Sequence, residues 1–213
     1  MSKDISDGRQ RVIKAAIELF AKKGKHGTRM EEVGKHAKIN KAMVYYYFNT
    51  KDNLYQEILM KIVIDMFRKI NQDINSIIKN KMNFTEILRQ LIAIHFNNLS
   101  RNPQFIQIMI DALANEPEKF KEVMKIVKNN PDINANTKAI AILKEGMNNK
   151  IIRKDDPKQI LISIIGMNLI YFIAKQIADV FLDIDIKNEQ DFLIKRKKSV
   201  LDLIMYGILE KKE

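Results

Sequence analysis

Apolar side chains recur every three or four positions along most of this chain, which is the spacing of amphipathic helices. The first such stretch covers Arg9–Lys23 and is followed by Gly24, a residue typical of helix ends. Two shorter helices are predicted at Met30–Ala37 and Lys41–Tyr47. Helices of two turns are stable only when they pack on neighbours. We therefore expect the first three helices to form one small packed unit.

Helix-capping residues support these limits. Thr28 is predicted to cap the second helix, with Glu31 three residues later completing a capping box. Asn40 is predicted to cap the third helix, and Thr50 precedes a much longer fourth helix. Two short helices joined by a tight turn at Lys38-Ile39 follow the helix-turn-helix plan.

Longer helices are predicted over the rest of the chain, and no stretch shows the alternating pattern of a β-strand. Their predicted limits are Lys51–Lys79, Phe84–Ser100, Pro103–Ala114, Pro117–Asn129, Ile133–Asn149, Lys158–Leu182 and Glu189–Lys211. The expected fold is all-α. It consists of an N-terminal three-helix domain, residues 1–50, and a larger C-terminal helical domain, residues 51–213.

The chain has a net charge of +11, and the excess is concentrated near the N-terminus. Residues 1–55 hold 12 Lys and Arg against 6 Asp and Glu, counted from the sequence. A basic head indicates a polyanionic partner, either nucleic acid or an anionic membrane surface. Charge alone does not separate these two from a merely basic soluble protein.

Cysteine is absent from the sequence, which excludes disulfides, thiolate catalysis and cysteine-based zinc sites. The first twelve residues contain no apolar run of the signal-peptide type. The most apolar stretch, Ile160–Ala174, is shorter than the length that usually spans a bilayer. We therefore expect a cytoplasmic protein that does not enter membranes.

One stretch near the N-terminus carries a recognisable motif. It runs from Gly24 through Thr28-Arg-Met-Glu-Glu-Val and Asn40-Lys-Ala-Met-Val-Tyr-Tyr-Tyr-Phe to Lys51-Asp-Asn-Leu. This stretch resembles the N-terminal domain of TetR-family regulators at many positions without gaps. Asn40, Ala42 and Met43 depart from residues common in the family, so the base sequence that is read stays open. A weaker likeness lies at Lys144-Glu-Gly-Met and Ile152–Pro157.

The resemblance implies a DNA-binding transcriptional regulator, most often a repressor that a small ligand releases from a palindromic operator. The start of a recognition helix normally reaches base edges in the major groove. Val44 and Phe48 lie four apart and are expected to pack inward. The residues expected at DNA are Thr28, Arg29, Lys38, Lys41, Ala42, Met43, Tyr45, Tyr46, Tyr47 and Lys51. For Lys41, the alternative is an ordinary solvated lysine.

The last two long helices are expected to join two copies of the chain. Lys158–Leu182 is apolar on every side, so both of its faces need cover, one from its own subunit and one from a partner. The predicted interface consists of Ile160, Ile164, Met167, Tyr171, Val200, Leu203, Ile204, Gly207 and Ile208. The alternative is a monomer with a thick core.

An effector pocket is expected inside the helical body. His95 and Asn168 each lie within an apolar run, where a polar group costs free energy unless it finds a partner. The expected lining is Met66, Phe67, His95, Phe105, Met109, Met147, Met167, Asn168 and Tyr171. Apolar walls with few polar groups suit a small apolar or amphipathic ligand. The alternative is that His95 and Asn168 bond to neighbouring backbone and that the methionines fill the core.

Two other classes of function compete with a regulator. An enzyme would need a nucleophile, general base or phosphate-binding loop at a known spacing, and the sequence offers none. The three histidines are not spaced as metal ligands, and we expect neither a metal nor another cofactor. A membrane-surface protein would need a longer amphipathic face than the N-terminal helices have.

Overall fold

The computed structural model describes residues 2–80, 82–183 and 189–210. This described part contains ten helices: α1 (Ser2–Gly27), α2 (Met30–Ala37), α3 (Lys41–Phe48), α4 (Lys51–Lys79), α5 (Phe84–Arg101), α6 (Pro103–Asn115), α7 (Pro117–Asn129), α8 (Ala135–Asn148), α9 (Pro157–Leu182) and α10 (Glu189–Ile208). Its β-structure is limited to one isolated bridge between Ile152 and Leu209. The all-α prediction is confirmed.

Two helices begin away from their predicted limits. α1 begins at Ser2 and continues to Gly27, although Gly24 interrupts its regular geometry with φ 68° and ψ 176°. Glycine is required there, because a Cβ would lie 2.5 Å from Asp111 Oδ1 and the positive φ disfavours other residues. α8 begins at Ala135, because the Asn134 side chain caps it by accepting from Thr137 N at 3.2 Å.

The first compact unit comprises Met1–Asp65 and Pro103–Val127. Within it, α1 packs on α2 and α6. The rings of Phe20 and Tyr55 meet edge to face with centroids 5.1 Å apart, and both side chains are buried. The surrounding core consists of Val12, Ala16, Val33, Val44, Leu54, Ile58 and Ile108.

The second compact unit comprises Met66–Asn102 and Lys128–Glu213. In this unit α5 packs on α8, α9 and α10 around one apolar core. Gly146 permits a close approach at the end of α8, since a Cβ there would lie 2.6 Å from Ile152 Cδ1 and from Phe84 Cε1. Asp156 caps α9 by accepting from Lys158 N at 2.9 Å.

The packing groups residues differently from a simple division after residue 50. α6 belongs to the same unit as the first three helices, and α4 contributes Lys51–Asp65 to that unit. The remainder of α4 belongs to the second unit. The boundary at residue 50 therefore stays a prediction about sequence domains, whereas the compact units are a property of the folded chain.

Candidate nucleic-acid interface

A sharp turn joins α2 to α3. Lys38 adopts the left-handed conformation with φ 55°, and Ile39 N donates to Gly34 O at 2.9 Å, which ends α2. Asn40 then caps α3, its Oδ1 accepting from Ala42 N at 2.9 Å. A Cβ at Gly34 would lie 3.1 Å from Ile39 O, so the small residue helps α3 to pack closely on α2. This is the helix-turn-helix geometry that the spacing predicted.

The two faces of α3 differ as predicted. Val44 and Phe48 are buried against the rest of the first unit, which confirms their inward orientation. Lys41, Ala42 and the two tyrosines Tyr45 and Tyr46 are exposed on the other side. Tyr46 is 72% exposed, and large aromatic side chains are seldom so exposed unless they bind another molecule. The outer face of α3 is therefore free to contact another molecule.

Lys41 lies at the start of this face and is already paired. Its Nζ forms an ion pair with Glu31 of α2 and lies 5.7 Å from the centre of the Tyr45 ring. The hydrogen bond from Lys41 lowers the pKa of Glu31, and the same bond raises the pKa of Lys41. Both side chains are about half exposed, so solvent screens this pair and Lys41 can exchange it for another anion.

Met43 and Tyr47 are half-buried, unlike the exposed residues around them. The Tyr47 ring packs edge to face on Tyr46, with centroids 5.7 Å apart. A Cβ added at Gly8 of α1 would lie 2.7 Å from the Tyr47 hydroxyl. The Tyr47 side chain of α3 therefore packs against α1, and its hydroxyl lies near the start of α1.

Thr28 does not have the role that the sequence predicted. Its side chain is fully buried, and its hydroxyl donates to Gly24 O at 2.9 Å and Leu19 O at 3.3 Å. Arg29 is the N-cap of α2, and Glu32 accepts from Arg29 N at 3.3 Å, so the capping box lies one residue later. The predicted contact of the Thr28 hydroxyl with DNA is wrong, because solvent cannot reach it.

The remaining basic residues of this region are accessible. Arg29 and Lys38 are exposed at the two ends of α2. Lys51, the first residue of α4, is half-buried and donates from Nζ to Thr28 O at 3.1 Å. That bond places the Lys51 ammonium beside the start of α2, where backbone N–H groups and the helix dipole also favour an anion.

A buried ionic cluster behind this surface was not predicted. Lys25 is 5% exposed, and its ammonium pairs with Glu116 and with Asp52 Oδ1, the latter at 2.9 Å. Although burial disfavours the ammonium, its hydrogen bonds to Asp52 and Glu116 raise the pKa of Lys25. Asp111 accepts from the Tyr55 hydroxyl at 2.6 Å and from Lys25 N at 3.2 Å. Burial, followed by the hydrogen bond to Asp111, raises the pKa of Tyr55.

Arg9 of α1 is another residue without a sequence signal. Its guanidinium lies 2.6 Å from Glu57 Oε2 of α4 and 5.0 Å from the centre of the Phe48 ring. Glu57 follows Arg9 by 48 positions, so no local pattern predicts this bridge. Together with the Lys25 cluster, it ties α1 to the helices that follow it.

The predicted effector residues divide between the two units. Phe105 and Met109 are buried in the first unit, and the other seven belong to the second. In the second unit, Met66, Asn168 and Tyr171 are buried, whereas Phe67, His95, Met147 and Met167 are partly exposed. Their role as a lining stays a prediction.

Asn168 and His95 share an unusual feature within the second unit. Asn168 is fully buried and donates from Nδ2 to Ile92 O at 3.1 Å, while its Oδ1 has no partner among the described residues. His95 Nδ1 is likewise buried and unpaired within that part of the chain. Burial lowers the pKa of His95 to about 4, so its imidazole is neutral near pH 7.

Most of the predicted interface residues pack inside their own subunit instead. Six of them are at most 6% exposed: Ile160, Ile164, Tyr171, Val200, Ile204 and Ile208. Their assignment to the dimer interface is wrong, because these side chains face α5, α8 or the other helix of the α9–α10 pair. Met167 is half-buried, and only Leu203 and Gly207 of the predicted set are exposed.

A different side of α9 and α10 remains uncovered. We call this the α9–α10 apolar face, and it consists of Ile162, Ile170, Ile173, Ile177, Val180, Phe181, Leu203 and Tyr206. These side chains are 45–82% exposed and recur at three- and four-residue spacing. A Cβ at Gly166 or Gly207 would meet nothing within 4 Å, so the backbone is also open here.

Part of this face lies in a helix whose length and composition would allow it to span a bilayer. Pro157–Lys175 is long and apolar enough to cross a bilayer by length and composition, and 22% of the tested window is buried. The expectation that this stretch is too short was therefore too strict. A helix covered by lipid and a helix covered by a protein partner can share this length and composition.

Comparison with known proteins agrees with this geometry. The family described as bacterial regulatory proteins, tetR family, matches residues 12–58, and the tetracyclin repressor-like C-terminal domain matches residues 85–204. The HTH-type transcriptional repressor NicS of Pseudomonas putida is 32% identical over 47% of this chain and 46% of its own length. The match thus spans about half of that relative.

Two further relatives extend over more of their own length. IcaR of Staphylococcus aureus, a negative transcriptional regulator of the biofilm operon icaADBC, is 28% identical over 55% of this chain and 72% of its own length. The crystal structure of HlyIIR, a hemolysin II transcriptional regulator, covers 98% of this chain and 99% of its own with a TM-score of 0.63. At 23% identity that likeness shows the fold alone.

The family matches cover both the helix-turn-helix and the greater part of the C-terminal helices. The second match alone accounts for more than half of the chain. Together with the exposed outer face of α3, they identify the chain as a member of the tetR family of bacterial regulatory proteins, a family of DNA-binding transcriptional regulators.

Proposed function

We propose that the chain is a homodimeric repressor that binds a near-palindromic operator in the cytoplasm and releases it when a small apolar or amphipathic ligand binds. The observation that carries this proposal is the outer face of α3, with Lys41, Ala42, Tyr45 and Tyr46 exposed on a helix-turn-helix. The relatives NicS and IcaR are a repressor and a negative regulator, which favours repression over activation.

DNA binding follows from the chemistry of this face. The residues proposed for base contacts are Lys41, Ala42 and Met43 at the start of α3, with Tyr45 beside them. Lys41 would exchange Glu31 for a base edge or phosphate, which costs little because the pair is exposed. Tyr46, Tyr47 and the basic side chains of Arg29, Lys38 and Lys51 are proposed to contact the backbone phosphates, which fix the register.

Dimerisation is proposed to occur through the α9–α10 apolar face. Monomeric soluble proteins rarely leave so many large apolar side chains uncovered on one side. A second copy related by a twofold axis would cover this face with the same residues, since such an interface is self-complementary. Two copies of α3 related by that axis would then match a near-palindromic duplex.

Ligand release is proposed to operate through the second unit. α4 is one continuous helix that begins beside the recognition motif at Lys51 and includes Met66 and Phe67, two of the residues predicted to line the effector site. A ligand that favours one position of this helix would change the separation of the two α3 helices. A difference of about 1–3 kcal/mol in affinity between positions changes operator binding roughly 5–150-fold.

The proposal is tested by recovering genomic DNA bound to the protein and measuring affinity for that DNA by gel shift. We expect Lys41→Ala and Tyr45→Ala to weaken binding roughly 5–150-fold each, because a good base contact contributes roughly 1–3 kcal/mol. Lys195→Ala is the matched control, an exposed lysine of α10 in the second unit. Unchanged affinity in both α3 variants would reject this face as the DNA-binding surface.

A further inference from the structure

Asn168 is held in one orientation by the protein. Its Nδ2 donates to Ile92 O at 3.1 Å, and a carbonyl oxygen can only accept, so the amide nitrogen must face α5. The side-chain oxygen therefore faces away from Ile92. That Oδ1 is fully buried and finds no donor among the described residues. Asn168 thus presents a fixed, unused hydrogen-bond acceptor inside the second unit.

His95 adds a second unused polar atom nearby. It follows Ile92 by three positions on α5, so it lies on the same side of that helix, about one turn further along. Its Nδ1 is buried without a partner in the described part of the chain. We call the region around Ile92, His95 and Asn168, where α9 bonds to α5, the α5–α9 seam.

Two cations of α10 each bond to a neutral oxygen of another helix. Arg196 of α10 donates to Met167 O at 3.1 Å, and Lys197 lies 3.4 Å from Asn97 Oδ1. The imidazole of His95 is neutral near pH 7, because burial lowers its pKa to about 4. Asn168 and His95 therefore offer polar atoms that carry no charge.

Another buried asparagine of the same unit shows the contrast. Asn98 of α5 donates from Nδ2 both to Asp73 Oδ2 at 3.0 Å and to Ile94 O at 2.9 Å. A buried polar atom without a partner lowers stability, so buried polar side chains are usually paired as Asn98 is. The unpaired Oδ1 of Asn168 is what a site completed by a ligand would present.

We propose that the α5–α9 seam binds the effector, and that the effector is an uncharged, mainly apolar molecule carrying a hydroxyl or N–H group that donates to Asn168 Oδ1. This inference rests on the proposed function as a ligand-responsive repressor. His95 supplies the second polar contact and can donate or accept at Nδ1, since a neutral imidazole has two tautomers.

The chemistry of the seam selects among apolar molecules. Alcohols, phenols and unsubstituted amides bring a donor to Asn168 Oδ1. Ethers and esters bring acceptors only, and a carboxylate would bring a negative charge against an oxygen that already carries a partial one. A site built to use a hydrogen bond discriminates strongly against an analogue that lacks the group.

The test uses matched pairs of probes on the full-length protein. Each pair is an alcohol and its methyl ether: decan-1-ol, cyclohexanol and phenol, each against its own ether, with decanoate as the anionic comparison. We expect at least one alcohol to raise the thermal midpoint and to bind at least tenfold more tightly than its ether and than decanoate. Equal binding within every pair, preferred binding of decanoate, or no binding by any alcohol would overturn the proposal.

Two variants separate a ligand contact from a structural role. Asn168→Leu should abolish the discrimination between alcohol and ether while leaving the thermal midpoint of the free protein unchanged or higher, because removing the buried unpaired acceptor offsets the loss of the bond from Nδ2 to Ile92 O. Asn98→Leu, the matched control, should lower the midpoint and keep the discrimination. A midpoint lowered by Asn168→Leu as much as by Asn98→Leu would overturn the proposal, since Oδ1 would then have a structural partner.

Operator binding by the same samples distinguishes failure of the seam proposal from failure of the proposed repressor function. If wild-type protein binds its recovered operator but shows no preference for donors, the seam proposal fails and the proposed repressor function stands. If no genomic DNA is bound specifically in the absence of any probe, the proposed function itself fails.

Discussion

Lys25 in the first compact unit and Asn168 in the second are both buried polar side chains, yet their surroundings differ. The ammonium of Lys25 has two carboxylate partners, and the buried Thr28 hydroxyl beside it has two carbonyl partners. Asn168, by contrast, keeps one buried atom without a partner among the described residues, as do His95 and Asn71, all three in the second unit.

The difference matches what each unit has to do. Reading DNA requires the outer face of α3 to be held in one geometry, and paired buried groups fix the helices of the first unit. A ligand site needs polar atoms that are left free for the ligand, at a cost in stability to the empty protein. Among the described residues, the buried polar groups are thus paired in the first unit, which holds α3 in place, and partly unpaired in the second unit, which is proposed to bind the ligand.

The largest effect is expected from breaking the paired cluster. Lys25→Met removes the buried cation that Glu116 and Asp52 share, and removing one partner of a buried ion pair costs about 3–5 kcal/mol. Glu116 keeps its ion pair with Lys119 in this variant. We expect a loss near 3 kcal/mol, since Asp52 is largely exposed. Denaturant unfolding measures it, and Lys22→Met, at an exposed position of the same helix, is the control. Equal stability of the two variants would show that the cluster does not hold the unit together.

The pH dependence of stability tests the burial of His95 in the second unit. The pKa of His95 is lowered to about 4 by burial, whereas an unfolded imidazole has a pKa near 6.5. Between these values the unfolded chain binds more protons, so stability should fall by about 2 kcal/mol from pH 7 to pH 5 through this group. His95→Leu should remove that part of the pH dependence. An unaltered profile in the variant would mean that His95 is not buried as a neutral group.

A smaller loss is expected at Tyr55. Tyr55→Phe removes the hydroxyl that donates to Asp111 Oδ2 at 2.6 Å and keeps the ring against Phe20. A hydrogen bond to a charged group contributes about 1.5–3 kcal/mol, and the lower value applies because Asp111 keeps bonds from Lys25 N and Asn115. The free energy of unfolding measures the change. A more stable variant would contradict the claim that the polar groups of this unit are mutually satisfied.

The smallest effect concerns one phosphate contact. Lys51→Ala should weaken binding to all DNA sequences alike and reduce the slope of log affinity against log salt by about one unit. Met43→Ala provides the comparison, since it should change which sequences bind while leaving the slope unaltered. A normal salt slope in Lys51→Ala would assign that lysine to the bond with Thr28 O alone.

Local sequence patterns predicted where the helices lie but not which residues distant in sequence contact each other. Three- and four-residue spacing and the cap at Asn40 locate the elements, because these signals depend on residues a few positions apart. The cap of α2 was placed one residue early, since Thr28, a better capping residue than Arg29, is drawn inward by the carbonyls of α1. Lys25 could not be predicted as buried, because Asp111 and Glu116 follow it by 86 and 91 positions.

The error at the dimer interface has a different cause. α9 is apolar on all sides, so its periodicity defines stripes without saying which stripe faces the subunit core. Ile160 and Ile164 turned out to be buried in the protomer, whereas Ile162 and Ile170 are exposed. Asn168 is a different case. A single asparagine in an apolar run fits either a ligand contact or a bond to neighbouring backbone. Its complete burial and its bond to Ile92 O fit both, so its place in an effector site stays a prediction.

The central claim is that α3 reads a specific operator as part of a symmetric dimer. The most direct measurement is the affinity and stoichiometry of the wild-type protein on its recovered genomic site, compared with a duplex of the same composition in scrambled order at equal salt. We predict two chains per duplex and an affinity at least about 10³-fold higher for the recovered site. Equal affinity for both duplexes, or one chain per site, would contradict the account.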